Sequence, residues 1–136
     1  MPLMNWTEKM AVGVRLLDTD HQKLVGMLNE LYDAIMKGQG KETLGKVLDG
    51  LVDYTKIHFA HEEKFFAQTN YPDAVAHKKE HDALTLQVLE VQKKHNSGQT
   101  ITLSLEVINF LKNWLTNHIQ ASDKRYGPYL NSKGIH

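Results

Sequence analysis

The stretch 58-HFAHEEKFF-66 combines a helical apolar pattern with two polar side chains that the same pattern turns toward the core. Phe65 and Phe66 continue an apolar stripe that repeats every three or four residues, as on one face of an α-helix. His58 and Glu62 fall on that stripe, one helical turn apart. A single histidine on an apolar face is ordinarily a hydrogen-bonded core residue, so the rest of the chain decides the meaning of this pair.

Three further segments have the same periodicity, which predicts four helices in all. We expect them at about residues 19–37, 41–68, 72–95 and 100–121. Asp18 or Thr19 can cap the first helix, and Gly127-Pro128 can close the last. Helices of this length joined by short turns run antiparallel to their neighbours. The sequence therefore predicts an all-α, antiparallel up-down-up-down four-helix bundle.

The chain has 136 residues, of which 41% are hydrophobic, and this size predicts a single domain over residues 1–136. Residues 1–18 lack sustained periodicity and are expected to form an extended N-terminal arm. Five apolar residues of this arm are expected to pack on the bundle as a lid: Trp6, Val12, Val14, Leu16 and Leu17.

Charge and composition exclude several classes of function. Lys+Arg and Asp+Glu each number 16, so the net charge is zero and the basic footprint of a nucleic-acid-binding protein is missing. No apolar run is long enough for a membrane span, and the N-terminus lacks a signal-peptide layout, so we expect a cytoplasmic protein. Cysteine is absent and histidine occurs eight times. Any bound metal must therefore have nitrogen and oxygen ligands.

Five of the histidines fall in apolar registers, as Glu62 does: His21, His58, His77, His81 and His118. In an antiparallel bundle they meet within about two turns of one end, since an α-helix rises 1.5 Å per residue. Burying so many polar groups without a ligand costs roughly 1 to 3 kcal/mol for each uncompensated group. The convergence of five histidines and a glutamate at one height of the bundle therefore indicates a metal site.

A further carboxylate is expected, because five neutral imidazoles and one glutamate balance divalent charge poorly. Asp123 is the candidate, although it lies five residues after His118, about 140° round an ideal α-helix. It reaches the site only if the helix loosens after His118. Seven ligands are too many for one zinc ion, whereas two ions bridged by carboxylates fit the number. Imidazole with carboxylate suits iron, with zinc, copper and manganese as alternatives in vitro.

The motifs 58-HFAHE-62, 77-HKKEH-81 and 118-HIQASD-123, together with His21, resemble the iron-ligand signature of the hemerythrin family, specifically its single-domain bacterial members. The resemblance covers nearly the whole chain. Surrounding segments are similar as well: Trp6, Val12-Gly13-Val14 and Asp18 before His21, Tyr71-Pro72 before His77, and Trp114-Leu115 before His118.

The resemblance implies two iron ions with a bridging oxo or hydroxo group. Glu62 and Asp123 would bridge the irons, and His77, His81 and His118 would complete one of them. His21 and His58 would hold the other and leave it an open position for dioxygen. Five residues are expected to line the pocket for that ligand: Leu24, Phe59, Leu84, Trp114 and Leu115.

The function implied is reversible dioxygen binding for storage, delivery or sensing, without enzymatic turnover. A di-iron oxidase or peroxidase is the main alternative, but such sites are richer in carboxylate and are built on Glu-x-x-His pairs. Iron storage and nitric oxide binding also remain open. A sensing role would require a separate protein partner, which nothing in the sequence indicates.

Overall fold

The computed structural model describes residues 4–38, 41–96 and 105–136, with residues 41, 95–96 and 105–107 described by their backbone alone. Within these ranges the chain forms helices and turns and no strand. The helices are α1 (Arg15–Met36), α2 (Lys41–Thr69), α3 (Ala74–Asn96), α4 (Leu105–Asn117) and α5 (Lys124–Ser132). A 3₁₀ turn at Glu8–Met10 precedes α1, and a π-helical turn at His118–Asp123 joins α4 to α5.

The π turn continues α4 into α5 without a break, so the three segments form the fourth rod of a bundle. α1 packs against α2 and α4, and α2 packs against α3. The predicted all-α, antiparallel up-down-up-down four-helix bundle is confirmed. The ends of α2 and α3 differ from the predicted ranges 41–68 and 72–95 by at most two residues. The turn between them is sharp because Asn70 adopts a left-handed conformation with φ of 55°.

The first helix begins earlier than the sequence pattern predicts. α1 begins at Arg15, after the extended residue Val14, so an arm over residues 1–18 is too long. The predicted cap at Asp18 or Thr19 is also wrong, since both lie within the first turns of the helix and no side chain caps its end. Apolar periodicity alone did not reveal this start, because only one apolar side chain in the first turn faces the core.

The Asp18 carboxylate holds the arm against α1. It accepts hydrogen bonds from the backbone N–H groups of Val12, at 2.7 Å, and Gly13, at 3.3 Å. Of the residues expected to form a lid, Val12, Val14 and Leu17 are buried, Trp6 is half-buried, and Leu16 is 43% exposed. The prediction that Leu16 packs in the lid is therefore wrong.

The fourth rod ends later than predicted. Residues 100–121 were expected to form it, and the start of that range lies outside the described residues, but the helix continues to Ser132. Gly127-Pro128 lies inside α5 instead of closing the rod. The flanking side chains of Tyr126 and Leu130 are completely buried, so their packing holds the segment in a helix despite the glycine and proline.

Two apolar clusters fill the interior of the bundle. The larger contains, among others, Leu24, Leu28, Leu31, Leu48, Val52 and Ile108, and the smaller contains Val12, Val14, Leu17, Phe66, Tyr71, Tyr126 and Leu130. Along each rod, the chain passes from one cluster to the other through buried histidines or acidic residues. No helix in the described ranges has the length and apolar character needed to span a bilayer.

Candidate metal centre

All seven residues predicted as metal ligands lie in the polar layer between the two apolar clusters. α1 contributes His21, α2 contributes His58 and Glu62, α3 contributes His77 and His81, and the π turn contributes His118 and Asp123. None of these side chains is more than 6% exposed. The i, i+4 spacing within α2 and α3 places each pair on one helix face, so both members reach the same interior space.

The potential ligand atoms form two overlapping groups, and within each group they lie within 4.8 Å of one another. The three-histidine half consists of His77, His81, His118, Glu62 and Asp123, and the two-histidine half consists of His21, His58, Glu62 and Asp123. Both carboxylates belong to both halves. The arrangement thus offers two adjacent cation positions with shared acidic ligands.

Each shared carboxylate directs one oxygen atom to each half. Glu62 Oε1 lies 2.9 Å from His81 Nε2 and 3.5 Å from His77 Nε2, whereas Glu62 Oε2 lies 3.4 Å from His58 Nε2 and 3.5 Å from His21 Nε2. Asp123 Oδ1 lies 2.8 Å from His77 Nε2 and 3.0 Å from His118 Nε2, whereas Asp123 Oδ2 lies 2.9 Å from His21 Nε2. Such a division suits carboxylates that bridge two cations.

The buried polar atoms of the site lack the hydrogen bonds that a core normally supplies. Among the described residues, the buried side-chain nitrogen and oxygen atoms without a hydrogen-bond partner are His21 Nδ1 and Nε2, Glu62 Oε1, His77 Nε2, His81 Nε2, His118 Nε2, and both carboxylate oxygens of Asp123. Their close approaches to one another lack the angles of hydrogen bonds, and uncompensated polar burial is costly. A donor set of imidazole nitrogen and carboxylate oxygen aimed at common points fits transition-metal cations.

The π turn explains how Asp123 reaches the site. In an α-helix, Asp123 would point about 140° away from His118. The wider turn closes i to i+5 hydrogen bonds, such as that from the Lys124 N–H to the Ile119 carbonyl, and so brings residues five apart toward the same face. The predicted loosening after His118 is therefore present, and both side chains point inward.

Three carboxylates that contact the Nδ1 atoms of imidazoles in the centre, on the side away from the metal positions, were not predicted from the sequence. Asp20 Oδ2 lies 2.9 Å from His58 Nδ1, Glu63 Oε2 lies 3.1 Å from His81 Nδ1, and Glu80 Oε2 lies 3.4 Å from His118 Nδ1. A partner on Nδ1 orients a ring whose Nε2 faces a metal. Asp20 could have been found, since it lies three residues after Leu17 and four before Leu24 on the buried face of α1.

Tyr126 was also missed, because the fourth rod was expected to end before it. Its buried hydroxyl donates a hydrogen bond to Glu62 Oε2. Burial and the nearby carboxylates of Glu62 and Asp123 raise the pKa of Tyr126 well above its ordinary value, so the group remains a hydrogen-bond donor at neutral pH. Tyr126 thus fixes one of the two carboxylates that both halves share.

The acidic and basic groups of the centre shift each other's proton affinity. Burial lowers the pKa of His21, but the adjacent carboxylates of Asp123 and Glu62 raise it to about 10. The same balance of burial against Asp123 and Glu62 raises the pKa of His77 to about 9. Burial raises the pKa of Glu62, but His58, His21 and His77 hold it well below its usual range. Without metal, His21 and His77 are therefore protonated at neutral pH and lie among buried carboxylates.

We expect metal binding to release protons. A metal requires the unprotonated Nε2 atom, and His21 and His77 are protonated at pH 7 in the metal-free chain because their pKa values are about 10 and about 9. The protons of these two imidazoles should therefore leave on addition of zinc at pH 7. The release is measured by titrating weakly buffered protein in the presence of an indicator dye.

The pH dependence supplies the control. Because both pKa values are raised, the protonated imidazoles stabilise the metal-free fold fully below pH 6.5, and this contribution is lost as the pH rises through 9 to 10. The metal-free protein should lose stability over that range while the proton release falls toward zero. A proton release that is absent at pH 7, or unchanged above pH 10, would contradict the assigned protonation states.

An apolar cavity of about 30 Å³ adjoins the ligand layer. It is lined by Leu24, Leu28, Leu51, Thr55, Phe59, Leu84, Val88, Leu111 and Leu115. Four of the five residues predicted to line a pocket are in this set, but Trp114 is not, since its ring instead stacks on His118 with centroids 4.6 Å apart. The volume is sufficient for one very small molecule. Among the described residues that line it, only Thr55 is polar, and its hydroxyl donates to the Leu51 carbonyl at 2.7 Å.

The fold and the site define an all-α bundle protein with a buried centre of histidine and carboxylate side chains able to hold metal. Residues 12–130 match the family described as Hemerythrin HHE cation binding domain. The chain belongs to the hemerythrin family.

Relatives of similar length support this assignment. A bacteriohemerythrin from Methylococcus capsulatus is 38% identical over 97% of this chain and 100% of its own length. A bacteriohemerythrin from Stenotrophomonas maltophilia is 35% identical over 93% of this chain and 80% of its own length. The crystal structure of a wild-type hemerythrin has a TM-score of 0.89 and 37% identity, covering 94% of this chain and 98% of that one.

Proposed function

We propose that this protein binds two iron ions in the candidate centre and uses them to bind dioxygen reversibly. The observation that carries the proposal is the unequal division of the ligands around two shared carboxylates. Three imidazoles and two carboxylate oxygens supply five ligand atoms to one half, whereas two imidazoles and two carboxylate oxygens supply four to the other. The two-histidine half is therefore one protein ligand short of the other, which leaves room for a small molecule.

In this proposal each residue of the centre has a defined role. His77, His81 and His118 would hold one iron ion, His21 and His58 would hold the other, and Glu62 and Asp123 would bridge them, with an oxo or hydroxo group as a further bridge. When bound, the iron ions supply the coordination position and the electrons that reversible dioxygen binding requires. The apolar cavity beside the ligands admits a small neutral molecule and disfavours water, because its walls offer almost no hydrogen-bond partners.

We expect a carrier and not an oxidising enzyme. Five imidazoles and two carboxylates bring less negative charge to the metals than the carboxylate-rich sites of di-iron bundles built on Glu-x-x-His pairs. Less negative charge favours the reduced metals and the release of an unchanged ligand. The apolar cavity of about 30 Å³ is itself too small for an organic substrate.

The test is the iron content and the visible spectrum of the anaerobically reduced protein before and after exposure to air. We expect two iron ions per chain and a charge-transfer band that appears with oxygen and disappears when the gas is removed. The stoichiometry follows from the two ligand groups, and reversibility follows from the small negative charge that five imidazoles and two carboxylates bring to the metals.

Zinc-loaded protein is the matched control, since zinc occupies nitrogen and oxygen sites without redox chemistry and should give no band. Repeated cycles of oxygen addition and removal separate a carrier from an enzyme, because an enzyme consumes reductant in every cycle. A colourless protein without iron, or oxygen uptake that is never reversed, would refute the proposal. Binding of nitric oxide without a response to oxygen would favour the alternative ligand.

A further inference from the structure

One buried carboxylate outside the ligand set connects α1 to three side chains of α2. Asp20 Oδ1 accepts a hydrogen bond from the Tyr54 hydroxyl at 2.7 Å, and Asp20 Oδ2 lies 2.9 Å from His58 Nδ1 and 2.8 Å from His61 Nδ1. Tyr54, His58 and His61 follow one another at helical spacing on the same face of α2. Asp20 is thus a point at which three donors converge.

These contacts determine which nitrogen of His58 carries the proton. A carboxylate only accepts hydrogen bonds, so the proton of a neutral His58 ring must lie on Nδ1, facing Asp20. The lone pair then lies on Nε2, which points toward Glu62 and the interior of the centre. The opposite tautomer would direct an N–H group at the metal position and could not act as a ligand.

Asp20 differs from the carboxylates behind the other imidazoles in its burial. The side chain of Asp20 is 2% exposed, compared with 34% for Glu63 behind His81 and 45% for Glu80 behind His118. Water can replace Glu63 or Glu80 as a hydrogen-bond partner, but it has no access to the position of Asp20. The two-histidine half therefore depends on a single buried residue for the orientation of His58.

We propose that Asp20 is a positioning residue for the two-histidine half of the centre, fixing the tautomer and ring orientation of His58 and strengthening it as a ligand. His61 and Tyr54 hold the Asp20 carboxylate in place, which gives His61 a defined role although it is not a ligand. The inference rests on the proposed function, since it assumes that each half holds an iron ion.

The experiment measures the affinity for ferrous iron against a competing chelator, together with Mössbauer spectra of the iron-loaded protein. Asp20→Ala should weaken binding to the two-histidine half by about 10- to 100-fold and change the spectrum of one iron. Asp20→Asn should restore the iron content, because its amide oxygen can accept from both Nδ1–H groups while its NH₂ group donates to the Tyr54 hydroxyl oxygen. The loss of charge should still shift the signal of the same iron.

Glu63→Ala is the matched control, and it should alter only the signal of the other iron and by less. If Asp20 had a merely structural role, Asp20→Ala would lower the affinity for both irons equally, and the spectrum of Asp20→Asn would be unchanged. Either result overturns the inference. If Asp20→Ala does not fold, the spectrum of Asp20→Asn decides by the same criterion. Wild-type protein that binds no iron would instead refute the proposed function, so the two failures are distinguishable.

Discussion

Glu62→Ala should abolish binding of both proposed metal ions. Glu62 belongs to both halves of the centre, with Oε1 facing His81 and Oε2 facing His21 and His58. Its removal therefore takes one ligand atom from each position, together with the single negative charge that both positions share. We expect no iron to be retained after desalting, compared with two ions per chain for the wild-type protein, as measured by elemental analysis.

The same substitution should destabilise the metal-free protein. Glu62 is completely buried near the protonated imidazoles of His21 and His77, and it accepts the hydrogen bond of Tyr126. Removing one partner of a buried charge pair costs about 3 to 5 kcal/mol, because the remaining charges lose their compensation. Denaturant unfolding of the metal-free variant measures this loss.

Two comparisons make the Glu62 result specific. His77→Ala removes a ligand from the three-histidine half alone, so it should lower the binding affinity for one ion much more than for the other. Glu42→Ala, on the exposed surface of the same helix, should change stability by no more than about 0.5 kcal/mol and leave the iron content unchanged. If Glu62→Ala keeps two ions with full stability, Glu62 is not a shared ligand.

The sequence was sufficient to bring six of the seven site residues to one level because two independent periodicities agree, whereas Asp123 reaches the site only through the π turn. Helical spacing places His58 with Glu62 and His77 with His81, and the alternating direction of the rods brings these pairs together with His21. This argument needs only the helix rise and the order of the elements. It therefore tolerates errors of several residues at the helix ends, such as the late start predicted for α1.

Features that depend on tertiary contacts could not be predicted in the same way. Gly127-Pro128 has the local character of a helix end, but the packing of Tyr126 and Leu130 keeps it helical. Asp20 lies in a buried register, yet nothing in the sequence pairs it with His58 on another helix. Local preference decides an element only where tertiary packing does not oppose it.

Gly127→Ala should destabilise the protein by about 3 kcal/mol, at the upper end of the range for added bulk in a packed interior. A Cβ atom at this position would lie 2.1 Å from the backbone carbonyl oxygen of Val12. A flexible side chain could move away from it at little cost, but Val12 belongs to the arm that Asp18 holds through hydrogen bonds to Val12 and Gly13. Either the arm or α5 must shift, and α5 carries Tyr126 against Glu62.

Gly26→Ala provides a control of opposite sign. Gly26 lies within α1, and a Cβ atom there would meet nothing within 4 Å. Alanine should therefore stabilise the protein by up to about 1 kcal/mol, because it restricts the unfolded chain without a steric cost. Both variants are best compared by denaturant unfolding of the metal-free protein, in which bound metal cannot mask the difference. Equal effects of the two substitutions would show that the approach of the arm to Gly127 does not constrain the fold.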